Sequence, residues 1–273
     1  MLGTAVSFAL MAGLIKVAGR SYNPFEVVFF RGLVAWVGVL VLERVTTGRI
    51  ARGENRRGLF LRAAFGMAAL LLYVLAITRV DLGLANALNL SSPLFVALLS
   101  IPLLNERPGP VRWALVVVGF AGVWLILSPD LSDVNLYALG GLASGALSGV
   151  AYSLVRSLRG SDGPLTIVRW FSMWVAILVL PLAVAWGWTW PDAMGVAVLG
   201  AMGLLALTGQ VLLTIGYRNA PASAISPVMY LQVPLSLLIG VVGFGELPTP
   251  AALGGVALLL VSTVLLARFG DGG

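Results

Sequence analysis

The chain has 273 residues, of which 59% are hydrophobic and only 10% charged, with a mean hydropathy of +1.00. A soluble domain carries roughly 25% charge, so so few charges cannot cover a water-exposed surface, and the chain reads as an integral membrane protein. The net charge of +6 does not point to nucleic acid, because the arginines sit in short gaps between apolar runs, as cytoplasmic-face anchors do. With no Cys and no His, the sequence excludes disulfides, thiol chemistry and the commonest metal ligand and general base; no cofactor or metal is expected.

A spanning helix needs about 20 mainly apolar residues. Ten runs have that character, predicting helices over 1–18, 24–44, 58–78, 83–104, 111–128, 135–157, 165–188, 193–216, 223–244 and 250–268. The first run has no basic segment before it and no small-residue cleavage site after it, so it reads as a retained helix and not a signal peptide. The connections are short and leave no room for a soluble domain. The longest, after the second run, holds Arg44, Arg49, Arg52, Arg56 and Arg57. Arg107, Arg112, Arg156, Arg159, Arg218 and Arg268 fall on the same side, against Lys16, Arg20 and Arg79 on the other. This bias predicts cytoplasmic N and C termini in a bacterial-type inner membrane.

The chain repeats itself. The segment Thr78–Trp113 recurs 140 residues later as Arg218–Leu253, and Glu106-Arg107-Pro108-Gly109-Pro110 becomes Glu246-Leu247-Pro248-Thr249-Pro250. Pro24 falls likewise on Pro164, and Lys16 on Arg156. The units are 1–128, holding helices one to five, and 135–268, holding helices six to ten. Five is odd, so the second copy must enter the membrane upside down. The expected fold is therefore all-α, ten transmembrane helices in two inverted five-helix repeats, an architecture that recurs among alternating-access transporters.

Within the runs, Gly141, Gly145 and Gly149 form a small-residue stripe whose offset counterpart is Ala5, Ala9 and Gly13. Such stripes allow close backbone approach; packing within one chain is expected over a dimer face, so a monomer is expected over a homodimer. Pro93 and Pro102 interrupt helix four, and Pro227 and Pro234 interrupt helix nine. Paired breaks at matching places in two halves point to a central site, with Pro93, Pro227 and Pro234 as its hinges. Asn86 and Asn89 share a face of helix four, Ser226 and Tyr230 the matching face of helix nine, and Gln210 lies on helix eight. Trp36, Tyr73 and Tyr152 are further candidates for the lining, whereas Trp186, Trp188 and Trp190 read as interfacial anchors. Arg31, Arg62 and Arg169 fall inside predicted helices. Arg62 is expected to snorkel to the headgroups, and Arg31 and Arg169 either snorkel or meet a substrate carboxylate. Glu26, Glu43, Asp81, Glu106 and Glu246 all lie near helix ends, which argues against a proton-driven cation exporter with a buried acid.

The stretches Leu207–Gln232 and Gly243–Pro248, together with Phe29–Leu33 and Ser91–Arg107, resemble the corresponding parts of the two EamA repeats of the drug/metabolite transporter superfamily. The resemblance runs along essentially the whole chain. It implies two inverted five-helix bundles around a substrate cavity, and it is silent on which metabolite is carried. Glu106 and Glu246 look structural by the same resemblance.

The expected function is a secondary transporter of a small organic metabolite, an amino acid or similar zwitterion or anion being the most economical choice. Asn86, Asn89, Ser226 and Tyr230 would orient it, Tyr73 and Tyr152 would supply faces, Gln210 would hydrogen-bond, and Arg31 or Arg169 would meet a carboxylate. Alternatives are uptake or exchange of a nucleoside-like or flavin-like metabolite, or export of cationic drugs. A membrane-embedded enzyme would need a nucleophile and base at depth, and Lys16 is the chain's only lysine. The expected partners are a small-molecule metabolite and the lipid bilayer, without nucleic acid.

Overall fold

A computed structural model describes residues 2–92, 94–95, 109–127, 136–219 and 229–269. The regular structure of these residues is entirely helical: α1 (Leu2–Ala18), α2 (Pro24–Thr47), α3 (Arg56–Ile77), α4 (Leu82–Asn89), α5 (Pro110–Leu127), α6 (Leu136–Ser157), α7 (Pro164–Ala185), α8 (Ala193–Asn219), α9 (Gln232–Ile239) and α10 (Pro250–Phe269). Five of them, α2, α3, α6, α7 and α8, are long and apolar enough to cross a bilayer. The ends follow from local chemistry. Asn23 and Glu26 form a reciprocal capping box at the start of α2, Pro24 supplies its first helical residue, and Gly48 closes it at φ +69°, a left-handed geometry that favours glycine. Asn55 caps α3 by accepting from the Gly58 N–H at 3.0 Å.

The helices pack according to the duplication. α2 lies on α7, α4 on α9 and α5 on α10, each helix against its own counterpart. The remaining pairs come in matched sets: α1 on α8 as α6 on α3, and α1 on α9 as α6 on α4. This is the contact pattern of two five-helix units related by a pseudo-two-fold axis, and the odd number of helices per unit makes the units inverted. One apolar core joins α1, α2, α3, α7 and α8 through side chains such as Met11, Ile15, Val74, Val175 and Met202. A second gathers α4, α5, α9 and α10 through Leu88, Val123, Val233 and Leu259. Outward-facing Val37, Val41 and Val242 are exposed, as lipid-facing side chains are.

Close backbone approach occurs where the small residues stand. A Cβ on Gly122 would come within 2.6 Å of the Gly255 carbonyl oxygen, and one on Gly255 within 2.6 Å of the Gly122 carbonyl, so α5 and α10 touch main chain to main chain. The glycine stripe of α6 is used internally. At Gly145 a Cβ would meet the Leu88 and Asn89 carbonyls at 2.7 and 2.9 Å, which seats α6 on the end of α4.

Helices four and nine depart from the continuous runs expected over 83–104 and 223–244. α4 ends at Asn89, with Leu90 as its C-cap. α9 starts only at Gln232 and passes into a π-helical turn over Gly240–Phe244. Pro234 therefore stands in the first turn of α9, where its missing N–H removes no helical bond; it opens a helix and does not kink one internally. Pro93, Pro102, Ser226 and Pro227 lie outside the described residues.

Candidate functional site

Between the two units lies a cavity lined from α1, α2, α3, α6, α7, α8 and the segments at α4 and α9. Its lining carries the duplication. Phe8 and Ser148, Met11 and Ala151, Arg31 and Phe171, Leu70 and Gln210, Tyr73 and Leu213, Asn89 and Met229, Leu90 and Tyr230, and Ser92 and Gln232 all line it, and each pair is separated by 140 residues. The pseudo-two-fold axis thus runs through the cavity. The backbone is symmetric there and the chemistry is not: within these pairs the cation comes from the first repeat, and its counterpart Phe171 is a ring.

That exchange of Arg for Phe builds the centre of the site. Phe171 presents its ring to both guanidiniums, that of Arg62 at 3.9 Å and that of Arg31 at 5.8 Å from the ring centroid. A cation over a desolvated ring gains about 2 kcal/mol. Gly66, one turn beyond Arg62 on α3, makes room for the stack, since a Cβ there would stand 2.5 Å from Arg62 Nη1 and 2.9 Å from the Phe171 ring. Arg62 is only 2% exposed, and its Nε and Nη1 have no hydrogen-bond partner among the described residues. Arg31 is buried too, and its Nε donates to the Met11 thioether at 3.4 Å, a weak acceptor. No acidic side chain lines the cavity among the described residues.

The rest of the lining is polar and aromatic. Tyr73 donates its hydroxyl to Asn86 Oδ1, and Gln232 Nε2 donates to the same oxygen, tying α3, α4 and α9 together behind the cavity. Asn86 spends its own amide N–H on the Leu82 carbonyl at 3.0 Å. Asn89 donates to Ser144 on α6 at 2.8 Å. Tyr152 and Tyr217 stack, with ring centroids 5.3 Å apart and planes 16° from parallel.

Of the residues singled out in the sequence, Arg31, Tyr73, Asn89, Tyr152, Gln210 and Tyr230 converge on this cavity. Asn86 is fully buried one layer behind it. Ser226 lies outside the described residues. Trp36 and Arg169 do not line the cavity. Trp36 is half-buried on α2. Arg169 forms an ion pair with Glu43 at 2.7 Å and also donates to the Ala51 carbonyl, so its partner is the protein's own carboxylate.

Arg62 corrects the expectation of snorkelling: its side chain points into the cavity, held by Phe171 and the space over Gly66. Gln232 and Ser148 were missed as well. For Gln232 the offset was a usable signal, since it pairs with Ser92 next to the Asn89 face. Lys16 binds Glu246 and the Val80 carbonyl, while Glu246 also accepts from the Leu82 N–H. The chain's one lysine thus joins α1 to the segment between α9 and α10, at a helix end.

A ten-helix inverted-repeat bundle with a central polar cavity is the architecture of a membrane transporter. Residues 1–128 and 135–268 each match the EamA-like transporter family, and the chain belongs to that family, within the drug/metabolite transporters. A riboflavin transporter of Rhizobium johnstonii is 33% identical over 76% of this chain and 67% of its own length. The pseudopaline exporter CntI of Pseudomonas aeruginosa is 28% identical over 96% of this chain and 92% of its own. An S-adenosylmethionine uptake transporter of Rickettsia prowazekii is 26% identical over 92% of this chain and 85% of its own. A crystal structure at 16% identity superposes with a TM-score of 0.71 over 98% of this chain and 97% of that one, which shows the fold.

Proposed function

We propose that the protein is a secondary transporter that moves a small organic anion or zwitterion across a bacterial inner membrane, with cytoplasmic termini and as a monomer. The observation that carries this reading is the Arg31–Phe171–Arg62 group: two buried cations with no described acid beside them. Guanidinium groups are planar donors matched to carboxylate and phosphate. An amino acid would present its carboxylate to them, with Asn89, Gln210, Gln232 and Tyr230 around the rest. The two units, 1–128 and 135–268, would rock about this fixed site, each in turn taking the other's conformation. The same cation pair weighs against export of cationic drugs. A Ser–Lys enzyme is disfavoured because Lys16 is held by Glu246 at a helix end.

A second reading has its own observation. The Tyr152–Tyr217 stack offers a flat face beside the arginines, which suits an anion carrying a planar heterocycle. The relatives named for riboflavin and S-adenosylmethionine support the planar heterocycle in that reading and not its charge.

Thermal unfolding of the detergent-purified protein against amino acids, heterocyclic anions, neutral heterocycles and organic cations separates these readings. A ligand of the folded state stabilises it by RT ln(1 + [L]/Kd), about 2.7 kcal/mol at a hundredfold excess over Kd. Shifts by amino acids alone support the first reading, and shifts by flat anions alone support the second. Shifts confined to organic cations overturn both.

A further inference from the structure

We propose that this transporter is an obligate exchanger, its cavity recrossing the membrane with an organic anion inside and not empty. The proposal rests on the anion-binding reading above and adds the mode of transport.

The two guanidiniums are buried at 2% and 5% exposure, and Arg62 has two nitrogens without an acceptor among the described residues. Four of the described acids, including the three that are buried, are engaged elsewhere. Glu43 holds Arg169, Glu246 holds Lys16, Glu26 accepts from the Asn23 and Thr189 N–H groups, and Asp162 accepts from those of Glu54 and Asn55. Alternating access requires an intermediate closed to both sides. While the cavity is open, water can solvate the guanidiniums. In an empty closed state they would have neither bulk water nor a counter-charge, and a buried ion without either is strongly disfavoured.

A carrier can relieve such a charge by moving a proton. Here an arginine does not release one, and the described lining holds no carboxylate or histidine to take one. The remaining way to neutralise the cavity is cargo. An organic anion discharged on one side must then be replaced by another before the carrier returns. Chloride is a poor substitute, because it lacks the paired oxygens that match a guanidinium fork.

The test uses proteoliposomes of the full chain loaded with a uniformly 13C-labelled bacterial metabolite extract. They are diluted into chloride buffer with or without unlabelled extract, and mass spectrometry identifies what leaves. Labelled anions are expected to leave at least about tenfold faster with unlabelled extract outside, since the empty closed state has lost its compensation. Arg62→Gln removes one buried charge and should bring that ratio toward one, while Arg62→Lys keeps the charge and the ratio. Should the Gln variant fail to reconstitute, Arg31→Gln asks the same question. Labelled anions leaving equally fast in both buffers would overturn obligate exchange and leave the anion reading standing. Efflux of cations only, or no efflux at all, would overturn the anion reading and this proposal with it.

Discussion

α2 and α7 together carry two arginine sites that are built oppositely. Toward one end of the bundle, Arg169 meets Glu43 at 2.7 Å, with Thr166 donating to the same carboxylate at 3.3 Å and the Ala51 carbonyl accepting from the guanidinium. Deeper in the same helix pair, Arg31 faces Phe171 and is joined there by Arg62 from α3, with no described acid. Both sites take cations out of water. The first returns a counter-charge from the protein itself and so is complete without a ligand. The second has no counter-charge among the described residues, and in the proposed function the cargo supplies it. A buried arginine is structural or functional according to which neighbour completes it, and that difference separates the two sites more sharply than depth does.

Removing one partner from each site should break the comparison in opposite directions. Glu43→Ala strands Arg169 in a buried position, and such a loss costs about 3–5 kcal/mol; the thermal midpoint of the apo protein should fall steeply. An unchanged midpoint would show that the pair is not holding α2 to α7. Arg62→Met should leave the apo midpoint unchanged or raised, because an uncompensated charge is gone, and it should weaken the ligand-induced stabilisation, which in the parent protein is about 2.7 kcal/mol at a hundredfold excess over Kd. A variant that still responds fully to the ligand would remove Arg62 from the site.

Finer changes sharpen the same contrast. Gly66→Ala places a methyl 2.5 Å from Arg62 Nη1 and 2.9 Å from Phe171. Overpacking of this kind costs about 1–3 kcal/mol. Because the flexible end of Arg62 gives way first, affinity should fall more than stability, which titration of the folded variant with the best ligand would register. Tyr73→Phe removes the hydroxyl that donates to Asn86. The expected loss is about 1 kcal/mol of stability, and because Tyr73 also lines the cavity, a small rise in apparent Kd accompanies it. A large loss of transport with wild-type stability would instead place that hydroxyl in contact with the cargo.

The residues that were legible beforehand share a reason. Tyr73, Asn89, Tyr152, Gln210 and Tyr230 are polar or amphipathic groups deep in apolar runs, and such groups turn inward because lipid offers them no partner. Arg31 followed the same logic. Arg62 did not, because an arginine about two turns into a helix reaches headgroups as easily as a cavity. The direction it takes depends on Phe171 and Gly66, one of them on another helix. Arg169 was drawn to the cavity for want of knowing that Glu43, 126 residues earlier, would stand beside it. Trp36 failed for a related reason, since a tryptophan is as content against lipid as inside.

Composition alone placed the chain in a membrane, because too few charges exist to face water. The 140-residue repeat with five helices in each copy fixed the inverted architecture, since an odd count leaves no other topology. Whether a given arginine faces the cavity or is completed by the protein was decided only in three dimensions. α2 and α3 are apolar all round, so no polar stripe in the sequence marks an inner face, and only the neighbours determine whether a buried charge finds a partner or waits for one.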